Sequence, residues 1–146
     1  MSFSTHECVA LIKLKDHFGK TIIGQDLYVV HESNRFKDLG IVETYSKKSG
    51  NWKTKTQLID MRYYFSVCSF KQNLFIIGGS YNNEKYFNIC LKYDVKHNKW
   101  SSIANMNEEK EELVCTGFDG KIIISGGWSP NGHLKSVEAY DHHDDK

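Results

Sequence analysis

Short apolar runs separated by polar turns recur along the chain. Residues 65–70 and 74–77 form two such runs on either side of a polar turn, and residues 113–118 and 122–124 repeat the arrangement. Runs of this length, rich in β-branched and aromatic residues, predict strands, and the polar residues between them predict hairpin turns. The pattern therefore predicts an all-β protein built from short antiparallel strands.

The same unit returns at a nearly constant offset in the numbering. The segment Leu74-Phe75-Ile76-Ile77-Gly78-Gly79 aligns with Ile122-Ile123-Ile124-Ser125-Gly126-Gly127 at an offset of 48 (122 − 74), and Tyr93 aligns with Tyr140 at 47 (140 − 93). The segment 67–70 aligns with 114–117, also at an offset of 47 (114 − 67). Several matched positions at nearly the same spacing indicate an internal repeat, and this repeat is the strongest indication of the fold.

A weaker copy precedes these two. Tyr45 aligns with Tyr93 and Trp52 aligns with Trp100, both at an offset of 48 (93 − 45 and 100 − 52), but His31-Glu32 stands where the later copies have Gly-Gly. We therefore expect a degenerate or distorted first unit.

The repeats divide the chain into units at residues 15–61, 62–108 and 109–146, with residues 1–14 as the trailing strand of a preceding unit. The third unit ends before the tryptophan that would match Trp100. Four strands in about 48 residues are typical of a propeller blade. Residues 107–113 have helical propensity, but their place between two units favours a connection. We expect about two and a half to three four-stranded blades.

The repeated glycine and aromatic residues have structural roles. A Gly-Gly pair at the end of a strand allows positive φ and close backbone approach. Tyrosine and tryptophan fill the space between stacked sheets. We interpret nine residues as structural repeat positions: Tyr45, Trp52, Gly78, Gly79, Tyr93, Trp100, Gly126, Gly127 and Tyr140.

These motifs resemble the Kelch repeat, and in particular the C-terminal Kelch domain of BTB–Kelch (Kelch-like) proteins. The resemblance covers roughly residues 15–146 and depends most on residues 98–107 and on Ser136-Val137-Glu138-Ala139-Tyr140-Asp141. It implies a partial β-propeller that binds a protein partner through the loops on one face. It further implies the substrate-recognition part of an adaptor for a cullin-3 ubiquitin ligase, although the BTB part that would bind cullin-3 is absent from this sequence. An actin-binding scaffold is the alternative.

The resemblance also points to ten residues as candidate partner contacts. The family's binding positions lie just after Gly-Gly, or at and just after the basic residue that stands 16 positions before it (78 − 62 and 126 − 110). Aromatic anchors contribute most to interfaces, which favours the tyrosines and the tryptophan. The mixture of basic and acidic residues argues against a ligand of one charge sign. The candidates are Arg62, Tyr63, Tyr64, Ser80, Tyr81, Lys110, Glu111, Glu112, Trp128 and Ser129.

The charge balance and the lengths of the apolar runs exclude several kinds of function. The 19 basic and 18 acidic residues nearly cancel, so we expect neither a nucleic-acid nor a membrane partner. No apolar run approaches the roughly 20 residues that a bilayer requires, and no secretory signal is visible, so we expect a cytoplasmic protein. The four cysteines lack C-x-x-C spacing and predict buried thiols.

No motif for catalysis or cofactor binding emerges from the sequence. Contiguous donors such as residues 141–145 cannot all face one ion, so this segment predicts a solvated turn rather than a metal site. We expect no enzyme activity, no cofactor and no metal. Because three blades leave two open blade faces, we also expect self-association.

Overall fold

The computed structural model describes residues 18–32, 39–82 and 84–145. Within these ranges the protein consists of antiparallel strands without a helix, which confirms the all-β prediction, and residues 107–113 form a connection. In the same ranges no helix is long and apolar enough to span a membrane. The trailing strand predicted at residues 1–14 lies outside the described residues.

The first sheet has four strands that pair in chain order. They are β1 (Phe18–Ile23), β2 (Asp26–His31), β3 (Ile41–Ser46) and β4 (Asn51–Gln57). His31 ends β2 where the other units have Gly-Gly, and its Nε2 lies 2.9 Å from Glu43 Oε2. The pairing of β3 with β4 shifts register between Val42 and Glu43. The first unit thus forms a complete but irregular sheet.

The second sheet is regular and also four-stranded. Its strands are β5 (Ser66–Phe70), β6 (Asn73–Ile77), β9 (Cys90–Asp94) and β10 (Lys99–Ile103), in the order β10-β9-β6-β5. A two-stranded hairpin, β7 (Ser80–Tyr81) with β8 (Lys85–Tyr86), lies between β6 and β9. Neighbouring strands of this sheet follow one another along the chain, except that the hairpin is inserted between β6 and β9. The unit is therefore an up-and-down sheet with an inserted hairpin.

The third sheet repeats this plan with three strands. Its strands are β11 (Val114–Phe118), β12 (Lys121–Ser125) and β15 (Val137–Asp141), with the hairpin β13 (Trp128–Ser129) and β14 (Gly132–His133) before β15. Together the three sheets are consistent with blades of a partial Kelch propeller.

The structure corrects one part of the sequence alignment. Ser66 pairs with Ile77 and Val114 pairs with Ser125, so β5 and β11 are related by an offset of 48 (114 − 66) rather than the predicted 47. Phe70 therefore corresponds to Phe118. The two hairpins have turns of equal length, which sets the strand register, and a slip of one residue would place each side chain on the opposite face.

The sheets stack face to face, with their first strands side by side. Thr21 Oγ1 in β1 donates to Ser69 Oγ in β5 at 3.0 Å, and the backbone N–H of Cys115 in β11 donates to Ser66 Oγ at 3.2 Å. One buried apolar cluster lies between the first and second sheets, and another lies between the second and third. The strands β1, β5 and β11 thus form the inner wall around which the blades are arranged.

The repeated tyrosine and tryptophan form a pair in each four-stranded sheet. The ring centroids are 5.4 Å apart for Tyr45–Trp52 and 5.0 Å apart for Tyr93–Trp100. The indole N–H of Trp100 donates to the carbonyl of Gln57 in the first sheet at 2.9 Å. Tyr140, which is buried, donates to Asp145 Oδ1 at 2.9 Å. These aromatic residues therefore connect strands and neighbouring sheets.

Candidate functional site

The loops that follow β6 and β12 meet the segments that precede β5 and β11 at one end of the sheets. Gly79 and Gly127 have φ of 102° and 104°, and a Cβ at either position would lie within 2.6 to 2.8 Å of a backbone oxygen of that preceding segment. Only glycine permits this approach. Reciprocal backbone hydrogen bonds then join Tyr63 to Ser80 and Glu111 to Trp128.

Arg62 lies beneath this end rather than on its surface. Its side chain has no solvent exposure and forms a bidentate ion pair with Asp60, at 2.6 Å from Nε and 2.5 Å from Nη2. Nη1 donates to the carbonyls of Gly78 and Ile89 at 2.9 and 3.2 Å. The guanidinium carbon lies 5.0 Å from the centre of the Phe87 ring. These contacts give Arg62 a structural role, in which it fixes the glycine turn and the inserted hairpin.

Lys110 occupies the equivalent position in the third unit and is equally buried. Its Nζ lies 2.6 Å from Glu138 Oε1 in β15. Burial opposes ionisation of Glu138, but hydrogen bonds from Lys110 and Asn107 outweigh it and lower the pKa of Glu138. Lys110 therefore ties the connection between the second and third units to the third sheet.

Glu138 is a residue that sequence reasoning did not select. It stands two positions before Tyr140, as Glu43 stands two before Tyr45, and each glutamate pairs with a basic side chain near the loop end: Lys110 and His31. The second unit has Leu91 at this position, and Arg62 uses Asp60 instead. The recurrence of glutamate before the tyrosine was the available signal.

Two pairs of aromatic rings contact each other at this end. The rings of Tyr63 and Tyr81 are nearly parallel, with an interplanar angle of 8° and centroids 6.4 Å apart. Trp128, 38 % exposed, meets the His133 ring edge to face at 4.2 Å. The Tyr63–Tyr81 pair and the Trp128–His133 pair hold large apolar surfaces in fixed orientations, which is the property of interface anchors.

Tyr64 and Glu112 connect the units through their backbone. Both have positive φ, 53° and 51°, at equivalent positions in successive units. The backbone N–H of Tyr64 donates to the Glu32 carboxylate, and the N–H of Glu112 donates to the Tyr64 carbonyl at 2.9 Å. The side chain of Glu112 is exposed.

The two predicted serines are buried. Ser80 has no exposure and its hydroxyl donates to the carboxylate of Glu111, which is half-buried. Ser129 Oγ donates to the Gly132 carbonyl at 3.2 Å within its own hairpin. The structure thus brings all ten candidates to one end, while Arg62, Lys110, Ser80 and Ser129 face inward. Their partner contacts stay a prediction.

A polar cavity of about 290 Å³ opens between the connection that precedes Lys110 and the hairpin loop of the third unit. Sequence reasoning selected only one of its residues, because the others carry no repeated motif. Glu108 and Glu109 add exposed carboxylates to it. Its lining residues are Asn88, Asn107, Glu108, Glu109, Ser129, Pro130 and Asn131.

In the parts of the chain that the structure describes, no group of three or more histidine, cysteine or acidic side chains is close enough to hold an ion. Asp145, in the segment weighed as a metal cluster, instead accepts hydrogen bonds from Tyr140 and from the backbone N–H of Ala104.

Comparison with known proteins agrees with this architecture. The family model described as the Kelch motif matches residues 61–107 and 113–146. Kelch-like protein 41a of Danio rerio is 31% identical over 121 residues, which cover 82% of this chain and 19% of the relative. Kelch repeat and BTB domain-containing protein 12 of Danio rerio is 26% identical over 138 residues, covering 86% and 22%.

Kelch-like protein 36 of Mus musculus is 28% identical over 97 residues, which cover 64% of this chain and 16% of the relative. The chain therefore spans about a fifth of the length of the curated relatives it matches. Both the repeated sheets with their glycine pairs and these matches lead to one conclusion: the chain belongs to the Kelch repeat family.

Proposed function

We propose that the chain is a protein-interaction module and that it binds its partner at the loop end described above. The observation that carries this proposal is that two oriented aromatic pairs, Tyr63–Tyr81 and Trp128–His133, lie at the same end of successive units. Rigid aromatic side chains gain contact area at little cost in conformational entropy, so they are suited to anchor a partner.

Acidic side chains outnumber basic ones among the exposed residues named at this end, which favours a partner with basic side chains. Glu108, Glu109 and Glu112 are exposed, and so is Lys85 on the hairpin of the second unit, whereas Arg62 and Lys110 are buried in ion pairs. In the sequence alone, those two buried basic residues had balanced the acidic ones. Because opposite charges across an interface speed association, we expect capture of the partner to weaken as salt is raised.

The family suggests a more specific role. We propose that the module recognises a substrate for a cullin-3 ubiquitin ligase in the cytoplasm, as the likeness to Kelch-like proteins suggests. Co-purification of cullin-3 with the full gene product would support this role. If cullin-3 does not co-purify and the gene encodes no BTB domain, the ligase role is excluded. The proposed interaction module would still stand.

The experiment for the interaction module is a differential affinity purification. The wild-type chain, Tyr81→Ala, Trp128→Ala and the control Thr54→Ala are compared by quantitative mass spectrometry. Thr54 is exposed on β4, the outer strand of the first sheet. We expect one set of proteins to be lost with both loop variants and retained with the control. Identical capture by all four chains would contradict the proposal.

The actin-binding alternative is separated by co-sedimentation. Pelleting of the chain with filamentous actin at micromolar protein, abolished by Trp128→Ala, would identify actin as the partner of the same loop end. Pelleting that Trp128→Ala leaves unchanged would place actin binding elsewhere, and no pelleting would exclude the actin scaffold.

A further inference from the structure

Three thiols lie between the second and third sheets. Cys68, Cys90 and Cys115 are buried and unbridged, which confirms the predicted burial for the cysteines that the structure describes. Cys68 lies on β5 and Cys115 lies on β11, and both belong to the apolar cluster that joins the two sheets. Two of the thiols therefore come from facing strands of different sheets.

The strand register explains why these two sulfur atoms meet. At the offset of 48, Cys115 corresponds to Val67, the residue next to Cys68, and Cys68 corresponds to Thr116. Because neighbouring residues of a strand point to opposite faces, the two cysteines lie on opposite faces of their respective sheets. Cys68 faces the third sheet and Cys115 faces the second, so the two thiols point toward each other within the same apolar cluster.

The backbones are also held close at this point. The N–H of Cys115 donates to the hydroxyl of Ser66, which precedes Cys68 on β5, at 3.2 Å. Further along β11, a Cβ at Gly117 would lie only 3.1 Å from the carbonyl oxygen of Ser69. The glycine thus permits the strand approach that brings the sulfur atoms together.

We propose that Cys68 and Cys115 form a redox-active dithiol, which hydrogen peroxide oxidises to a disulfide between the second and third sheets. The interaction between the two thiols raises the pKa of Cys68 and lowers the pKa of Cys115, so Cys115 is the better nucleophile of the pair. Cys90 is buried in the same cluster and provides an internal comparison.

The reaction balances without a cofactor. Cys115 gives its proton to solvent, and the thiolate attacks peroxide, so that an S–O bond forms, the O–O bond breaks and hydroxide leaves, giving a sulfenic acid. This hydroxide takes up the released proton and becomes the first water. The Cys68 sulfur then attacks the Cys115 sulfur, its proton passes to the departing hydroxide, and the S–S bond replaces the S–O bond. Two thiols lose two electrons and one peroxide becomes two waters.

The test uses the purified wild-type chain treated with hydrogen peroxide. Free thiols are then blocked with N-ethylmaleimide in denaturant, and the intact mass and the peptides are analysed. We expect two of the four thiols to be protected from N-ethylmaleimide, one peptide pair joined through Cys68 and Cys115, and reversal by dithiothreitol. The oxidised chain should also melt about 5 °C higher, because the link constrains the unfolded chain.

Two variants separate the pathway from general oxidation. Cys90→Ala should still form the bond, whereas Cys68→Ser should lose it and leave a sulfenic acid on Cys115 that dimedone traps. A bond that uses Cys90, four labelled thiols after peroxide, or sulfinic acid on Cys115 without a disulfide would each overturn the proposal. The wild-type result decides the matter even if a variant does not fold.

Discussion

Two buried cations, Arg62 and Lys110, hold the loop end in place. Each precedes the first glycine of its unit's Gly-Gly pair by the same offset in numbering, yet they use different carboxylates, Asp60 and Glu138. A buried cation is stable only when it is paired and its hydrogen-bond donors are satisfied. These two residues therefore act on binding through the position of the loops rather than by contact.

Loss of the buried Lys110 charge should destabilise the protein strongly. Lys110→Met removes the partner of Glu138 and leaves its carboxylate poorly solvated, so we expect a loss of about 3–5 kcal/mol. The matched control is Lys121→Met, because Lys121 forms a more exposed pair with Asp141 at 3.3 Å. That pair should contribute less than about 1 kcal/mol. Urea unfolding measures both, and equal losses would show that Lys110 is not a structural cation.

Acid should weaken the same ion pair. Because the folded state lowers the pKa of Glu138, its contribution is present above the unfolded value, about 4.3, and is lost as the pH falls through the folded value. We expect stability to fall between about pH 5 and pH 3, and to fall less in Glu138→Gln. Asp94, Asp141 and Asp145, whose pKa values are also lowered, contribute equally in both proteins. Identical acid profiles from chemical denaturation would contradict the assignment.

The elements follow a strict geometric repeat in the second and third units. Gly78 and Gly126 share φ near 61–64° and end equivalent strands, but their surroundings differ. A Cβ at Gly78 would lie 2.5 Å from the Lys110 carbonyl of the following connection, whereas a Cβ at Gly126 would meet its nearest neighbour at 3.7 Å. The same motif is thus under greater packing constraint where another unit covers it.

Alanine at these two glycines should separate backbone strain from packing between units. Both substitutions place a side chain in the left-handed region, at a cost of about 1–2 kcal/mol. Gly78→Ala should cost about 1–3 kcal/mol more, because the methyl group collides with the neighbouring unit. Thermal and urea unfolding of the two variants give the difference. A larger loss for Gly126→Ala would mean that the units do not pack as described.

For the strands, the sequence predicted the positions well, but it predicted less well on which face of a sheet each side chain lies. The glycine pairs, the hairpin turns and the tyrosine columns are local signals, and they lie where the repeat predicts. The sheet face on which the Cys115 side chain lies depends on a one-residue shift of the alignment. The sequence hid this shift, because Val-Cys occurs at both 67–68 and 114–115. The burial of Lys110 depends on Glu138, which lies 28 residues away in sequence, and no local pattern encodes such a partner.

Across the described part of the molecule, the third sheet exposes an apolar face whose equivalent in the second sheet is buried. Val114, Phe118 and Val137 on the third sheet are 66–70% exposed. The corresponding face of the second sheet carries Cys68 and Phe75, both buried against the third sheet. An apolar sheet face of this kind favours association with another surface.

We therefore expect the chain to self-associate in solution. Phe118→Ser should shift sedimentation-velocity profiles toward monomer and reduce binding of a hydrophobic dye, because it removes the most exposed ring of that face. Ile59→Thr, a change at an exposed apolar residue between β4 and β5, should leave the profile unchanged. A monomeric wild-type chain without dye binding would contradict this expectation.

Binding at the aromatic loop end, held in shape by the buried cations, is tested most sharply by calorimetry. The partner that the affinity purification identifies is titrated into the wild type, Tyr81→Ala, Trp128→Ala and the control Thr54→Ala. We predict that Trp128→Ala weakens affinity about 30-fold, equivalent to about 2 kcal/mol, that Tyr81→Ala also weakens it, and that Thr54→Ala leaves it unchanged. Unchanged affinity in both loop variants would contradict binding at this end.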